Sequence, residues 1–385
     1  MREGYEEVRS TILANLGIDH TATGDLLQLY FAECLEPESL ARFFFQYDIE
    51  RLEFQNVWVL SKLATRLHYA GVPKAEFPRV KGIVKRFTVE NGRNFCVLPG
   101  VLETFNRADI AMMLLNGTAM KVFYEPAETR YYSTIDFLVK AGDIDSAGRI
   151  LEKLGFRFQG TFWGQRIYRK NAVSITIRSV YLRANLLTGD QADIWQHSSS
   201  ITWQGKKAFV PCPEMMLLFF LVQGLEACCA CISNSQANDF VNDFIDSKFF
   251  LTSGSIRWET FIELAQKSKF TLHVRLMLDI LNRLYPGVVA DKVLESLLYT
   301  DKDIANVQKL IAYNLARRKV AEARNRRNRM EYYCNGVAAL WNLNCYYGNR
   351  SFLFTNVVDF PQFIAGWNNH RGIKGLLSKV RGYKK

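Results

Sequence analysis

Two short segments carry residue types at spacings that could do chemistry. In Thr134 to Val139, Ile135, Phe137 and Val139 alternate with Thr134, Asp136 and Leu138. That two-residue period reads as a strand, with Thr134 and Asp136 on one face. In Val173 to Arg178 the same period puts Ser174, Thr176 and Arg178 on one face. Upstream, the apolar run Ile110 to Leu115 stops at Asn116-Gly117, as a buried strand ending in a turn would. Carboxylates at i and i+2 of a strand, with a third on its neighbour, form a cage of hard oxygens for magnesium. A glycine turn beside the cage lets backbone N–H groups reach phosphates. These are parts for phosphoryl-type transfer, where positioning and charge neutralisation carry the catalysis. Here only Asp136 is acidic. If the two strands pair, it faces hydroxyls and the Arg178 guanidinium, and an ion pair replacing the metal is the expected arrangement.

The surrounding pattern supplies the elements that must position these groups. Thr118 to Phe123 reads as a helix start. Asp143 is placed as the N-cap of a helix through Ile144, Ala147, Ile150, Leu151 and Leu154, with Gly155 ending it. The Asp143-Ile144-Asp145 spelling therefore suits a helix dipole better than a metal. Phe156 to Tyr168 suits a hairpin, and Val173 to Arg178 a further strand. Before this layer the chain reads as helical. Thr23 or Asp25 would cap one segment and Pro37 would open another. Trp58 to Leu67 has amphipathic spacing, and a helix from Val80 to about Val89 is expected to break at Asn91-Gly92. After Pro213, helices are expected over 214–227, 240–250, 258–265, 272–284 and 301–330.

The order of strand, glycine turn, helix, acidic strand, helix and strand resembles the core of the uncharacterised nucleotidyltransferase family. Leu114 to Met120 looks like that family's Lys-Gly segment, with Asn116 in place of the lysine. Arg130 to Val139 is similar to its Arg followed by Gly-Asp-Ile-Asp-Leu-Leu-Val, and Ile150 to Phe156 to its following helix end. Asn171 to Tyr181 resembles the strand that carries an acid and then a histidine. Looser similarity extends the resemblance over roughly residues 40 to 290. It implies nucleotide contacts at Asn116, Gly117, Thr118, Arg130, Ser133, Thr134, Thr176 and Arg178. It also implies Asp136 as a magnesium ligand and catalytic residue if the protein is active. Against the family pattern, Thr134 and Thr176 stand where two carboxylates belong and Arg178 where the histidine belongs. The implied fold is α+β: a small mixed-sheet nucleotidyltransferase-like core over 106–210, between a helical region over 1–105 and a helical domain over 211–335, with an extension over 336–385.

The bulk composition agrees with a folded chain. Of 385 residues, 49% are apolar and 23% charged, which is enough for two or three domains and excludes wholesale disorder. The longest apolar run, Met215 to Val222, is shorter than the ~20 residues that span a bilayer, so no transmembrane segment is expected. The N-terminus does not read as a secretory signal. Eight scattered cysteines read as reduced thiols of a cytoplasmic protein, and the lone Cys228-x-x-Cys231 as helix packing rather than zinc. The net charge of +11 is concentrated towards the C-terminal third. There Arg317, Arg318, Lys319, Arg324, Arg326, Arg327 and Arg329 form a basic helix that could contact phosphates of nucleic acid.

Three readings follow. In the first, a degenerate nucleotidyltransferase-fold protein binds a nucleotide, a peptide or a partner protein without catalysis, in a biosynthetic or modification pathway. In the second, an active transferase moves an NMP group to an acceptor with magnesium. In the third, the basic helix binds nucleic acid.

Overall fold

A computed structural model describes residues 2–16, 21–52, 54–123, 131, 134–162, 165–181, 192–231 and 240–325, with 335 and 342 as isolated positions. A seven-stranded sheet occupies its middle. The strands are β1 (Met113–Leu114), β2 (Ile135–Leu138), β3 (Arg157–Phe162), β4 (Gln165–Lys170), β5 (Val173–Arg178), β6 (Ser198–Trp203) and β7 (Lys206–Pro211). Their order is β3-β4-β5-β2-β1-β7-β6. Parallel pairs β2–β5 and β1–β7 sit among antiparallel neighbours. The sheet is mixed, as expected. β2 is buried at all four residues, the environment of a central strand between two ladders.

Two strands were not foreseen. β6 and β7 form a hairpin whose turn is Gln204-Gly205, with φ of 47° and 77°. Positive φ at both central residues matches the twist of the flanking strands. β7 then joins β1, with Met113 opposite Phe209.

The helices before the sheet are α1 (Arg2–Leu16), α2 (Ala22–Phe31), α3 (Pro37–Gln46), α4 (Phe54–Arg66) and α5 (Phe77–Arg107). The expected break at Asn91-Gly92 is absent, because α5 runs through both residues and through Pro99. Its buried positions explain why. Val80, Phe87, Asn91, Asn94, Leu98, Val101, Leu102 and Phe105 keep helical spacing on one face. Burying that face outweighs the ~1 kcal/mol helix penalty of one glycine. Gly92 itself faces open space. The cap of α2 is Thr21, which accepts from the Gly24 N–H at 3.1 Å, rather than Thr23 or Asp25.

Helix α6 (Asn116–Phe123) follows β1, and α7 (Ile144–Lys153) follows β2. Gly155 ends α7 with φ of +85°, as a residue just past a helix end should. Asp143 occupies the cap position but makes no capping hydrogen bond. It closes a short 3-10 turn over Ala141–Asp143, whose backbone is already helical at that point. Asp145 pairs instead with Arg166 at 2.6 Å.

Beyond a short α8 (Ala192–Gln196), the remaining helices are α9 (Pro213–Cys231), α10 (Phe240–Thr252), α11 (Trp258–Lys267), α12 (Thr271–Leu284), α13 (Asp291–Ser296) and α14 (Asp301–Asn325). By length and composition α9 could cross a membrane, but 72% of its apolar window is buried within the protein. It is the central core helix, packed on α1, α10, α11, α12, α14 and β7. Cys228 and Cys229 are buried in it, as packing thiols are.

Candidate functional site

The site forms where β1, β2, β5 and the start of α6 meet. β1 and β2 bring the N-terminal end of α6 beside Asp136, and the Leu115 N–H donates to the Asp136 carbonyl at 3.0 Å. β2 and β5 pair in parallel, with Asp136 opposite Thr176 and Leu138 opposite Arg178. Because both strands keep a two-residue period, Thr134, Asp136, Thr176 and Arg178 converge on one face, as their spacing predicted.

Asp136 is buried at 7% exposure and Arg178 at 5%. The Arg178 guanidinium lies 3.6 Å from Asp136 Oδ1. This is an ion pair longer than a direct hydrogen bond. The expected Asp136–Arg178 pair is therefore formed. The other carboxylate oxygen, Oδ2, accepts from Thr134 Oγ1 at 3.1 Å and from Asn116 Nδ2 at 3.2 Å. The Asp136 backbone N–H donates to Thr118 Oγ1 at 3.0 Å. Arg178 also stands 5.8 Å over the Phe219 ring of α9, which ties the sheet to the core helix.

The local backbone suits this arrangement. Asn116 has φ of +49°, a conformation that asparagine tolerates better than most residues. That turn starts α6 beside the carboxylate, so the positive end of the helix dipole faces Asp136. Gly117 is buried in the first turn of α6. Asn116 Oδ1 is buried and has no partner among the described residues.

The donor set does not fit a two-magnesium cage. Among the described residues Asp136 is the single carboxylate of the cluster, and its charge already faces a guanidinium. Thr134 and Thr176 add neutral hydroxyls. Thr134 is already spent on Asp136. Two divalent cations would enter a cluster that is close to neutral without them, which hard cations disfavour. Among the described residues no group of three or more His, Cys, Asp or Glu side chains could hold a metal ion.

The family model described as "Uncharacterised nucleotidyltransferase" matches residues 58–286. The chain belongs to the uncharacterised nucleotidyltransferase family. The match takes in the sheet and runs from within α4 to the end of α12. A solved structure, an antigenic nucleotidyltransferase-like protein from Paracoccidioides brasiliensis, is similar at 14% identity. The similarity covers 54% of this chain and 94% of that one, with a TM-score of 0.36. No curated protein matches the chain. Membership of the nucleotidyltransferase family and the mixed sheet agree with the sequence resemblance, and the departures at the cage lie within the matched region.

The other expected site residues are less central. Arg130 and Ser133 lie outside the described residues. In the basic helix, Arg318 pairs with Glu322 at 3.1 Å and Arg317 stacks 5.6 Å over Tyr313. Arg318 and Lys319 are exposed. Arg324 is the last residue but one of α14, and Arg326, Arg327 and Arg329 lie outside the described residues. Sequence reasoning missed Phe219 and Thr118 as the packing partners of Arg178 and of the Asp136 backbone. Neither contact has a sequence signal, because each joins residues brought together only by tertiary packing.

Proposed function

We propose that this chain is a catalytically degenerate member of its family. In this reading it acts by binding a nucleotide, a peptide or a partner protein, without metal-dependent transfer of an NMP group. The observation that carries the reading is the state of Asp136. One of its oxygens faces Arg178, and the other accepts from Thr134 and Asn116. A carboxylate that must ligate magnesium would have to shed these partners and tolerate a guanidinium beside the ion. The same geometry supports a binding role, because a preformed polar cluster at a helix start suits a polar ligand.

The test is nucleotidyl transfer from each of the four NTPs with magnesium or manganese, comparing the wild type with Asp136→Ala. The expected result is no divalent-dependent turnover in either protein. Thermal protection of the wild type by a nucleotide, without turnover, supports the binding role. Divalent-dependent turnover that Asp136→Ala abolishes would establish the active alternative instead.

A further inference from the structure

A cavity of about 470 Å³ opens between α2, α4, α5 and α10, and its lining contains none of the residues around Asp136. Lys62, Arg66 and Lys248 line it, and among the described residues no Asp or Glu does. The three cations gather around one residue, Tyr30. Lys248 Nζ donates to the Tyr30 carbonyl at 2.9 Å, and Arg66 donates to the same oxygen at 3.4 Å. Lys62, Arg66 and Lys248 stand 6.0, 5.7 and 5.2 Å from the Tyr30 ring centre. Lys248 also lies 5.0 Å over each of the Phe31 and Tyr285 rings. Among the described residues, neither Arg66 nor Lys248 forms an ion pair with a carboxylate.

Part of this charge has a structural explanation. The Tyr30 carbonyl lies at the C-terminal end of α2, where cations favour the helix dipole. That end carries a partial charge of only about half an electron, against two whole cations on one oxygen. Like charges held together beside aromatic rings oppose each other. Burial and Arg66 push the Lys248 ammonium down to about 8. An anion in the cavity would relieve this repulsion. The floor is apolar, made by the buried Trp58 and Phe87. The volume falls within the range of small-molecule sites, roughly 300–1,000 Å³.

We propose that this cavity binds a phosphate-bearing small molecule, with Lys248 and Arg66 on the phosphate and the Trp58–Phe87 floor beneath its organic part. The site is separate from the Asp136 cluster and does not depend on the reading given to that cluster. The probes are sodium pyrophosphate, AMP and ADP, titrated calorimetrically into the full chain at fixed ionic strength. The expected result is saturable binding that weakens at least tenfold in Lys248→Met and in Arg66→Gln, and also weakens above pH 8 as Lys248 loses its proton. Met keeps the packing of the lysine stem on the rings, and Arg66 is exposed, so both variants should stay folded. ADP binding more tightly than pyrophosphate assigns a nucleotide, and equal affinity assigns the phosphate alone. Arg51→Ala, whose side chain is 88% exposed and lies outside the cavity lining, should leave this binding unchanged. No binding to the wild type at millimolar probe, or undiminished binding in both variants, would overturn the proposal.

Discussion

Replacing Arg178 with Met removes the guanidinium and keeps most of the side-chain volume. The carboxylate of Asp136 then stays buried at 7% exposure without its counter-charge. At the observed 3.6 Å, the gross Coulomb attraction is about 4–5 kcal/mol at an effective dielectric constant of ~20. Much of that attraction offsets desolvation, but stripping one partner from a buried pair still costs about 3–5 kcal/mol. Asp136 keeps its bonds from Asn116 and Thr134, so the lower end, about 3 kcal/mol, is expected. For a cooperative unit of ~150–250 residues this corresponds to a fall in Tm of roughly 6–12 °C. Urea and thermal unfolding of Arg178→Met, Asp136→Asn and the double variant form the assay. The double variant should be less destabilised than the sum of the single variants, because both charges leave together. Arg51→Ala is the control, since that side chain is 88% exposed. A loss for Arg178→Met no larger than the control's would show that the buried pair does not hold the fold together.

Three further perturbations test the supporting structure. Thr118→Val leaves the buried Asp136 N–H without its acceptor and should cost about 1–3 kcal/mol in urea unfolding. Gly71→Ala places a Cβ against the Pro37 carbonyl at a φ of +82°, and a loss of about 2–3 kcal/mol is expected, read as a lower thermal midpoint. His273 is buried, and desolvation pulls it down to about 4 from 6.5, with Asp303 opposing. Its folded-state value lies below the unfolded one, so the unfolded chain takes up the extra proton first. Stability is therefore present above pH 6.5 and lost as pH falls towards 4, by about 3 kcal/mol from this group. His273→Gln should flatten that part of the stability–pH curve, and an unchanged slope would remove His273 as the cause.

The sheet was legible where one face of a strand is apolar and the other carries the polar site residues, which leaves a clean alternation. Ile135 and Phe137 gave β2, and Val173, Ile175 and Ile177 gave β5. Once both strands were placed, the shared face of Thr134, Asp136, Thr176 and Arg178 followed from period alone. The register did not follow. Only the folded ladder sets Thr176, rather than Arg178, directly opposite Asp136. The hairpin of β6 and β7 stayed hidden because Ser198 to Ser200 are partly or fully exposed at the sheet edge, and an edge strand needs no apolar stripe. Its signal was the Gln204-Gly205 turn between Trp203 and Lys206. In α5 the opposite error occurred. Asn91-Gly92 reads locally as a break, but Asn91 is buried on the packed face and tertiary burial overrides the local preference. The cationic cavity was invisible in sequence, since Tyr30, Arg66 and Lys248 come from three distant helices.

The Asp136–Arg178 ion pair stands where the sequence resemblance implies a metal cage. Crystals soaked with manganese and a non-hydrolysable NTP analogue test it most directly, through the anomalous signal of manganese around Asp136. No manganese is expected at ligand distance from Asp136, and the Arg178 contact is expected to be retained. A manganese peak about 2.2 Å from an Asp136 oxygen, with Arg178 displaced, would contradict this.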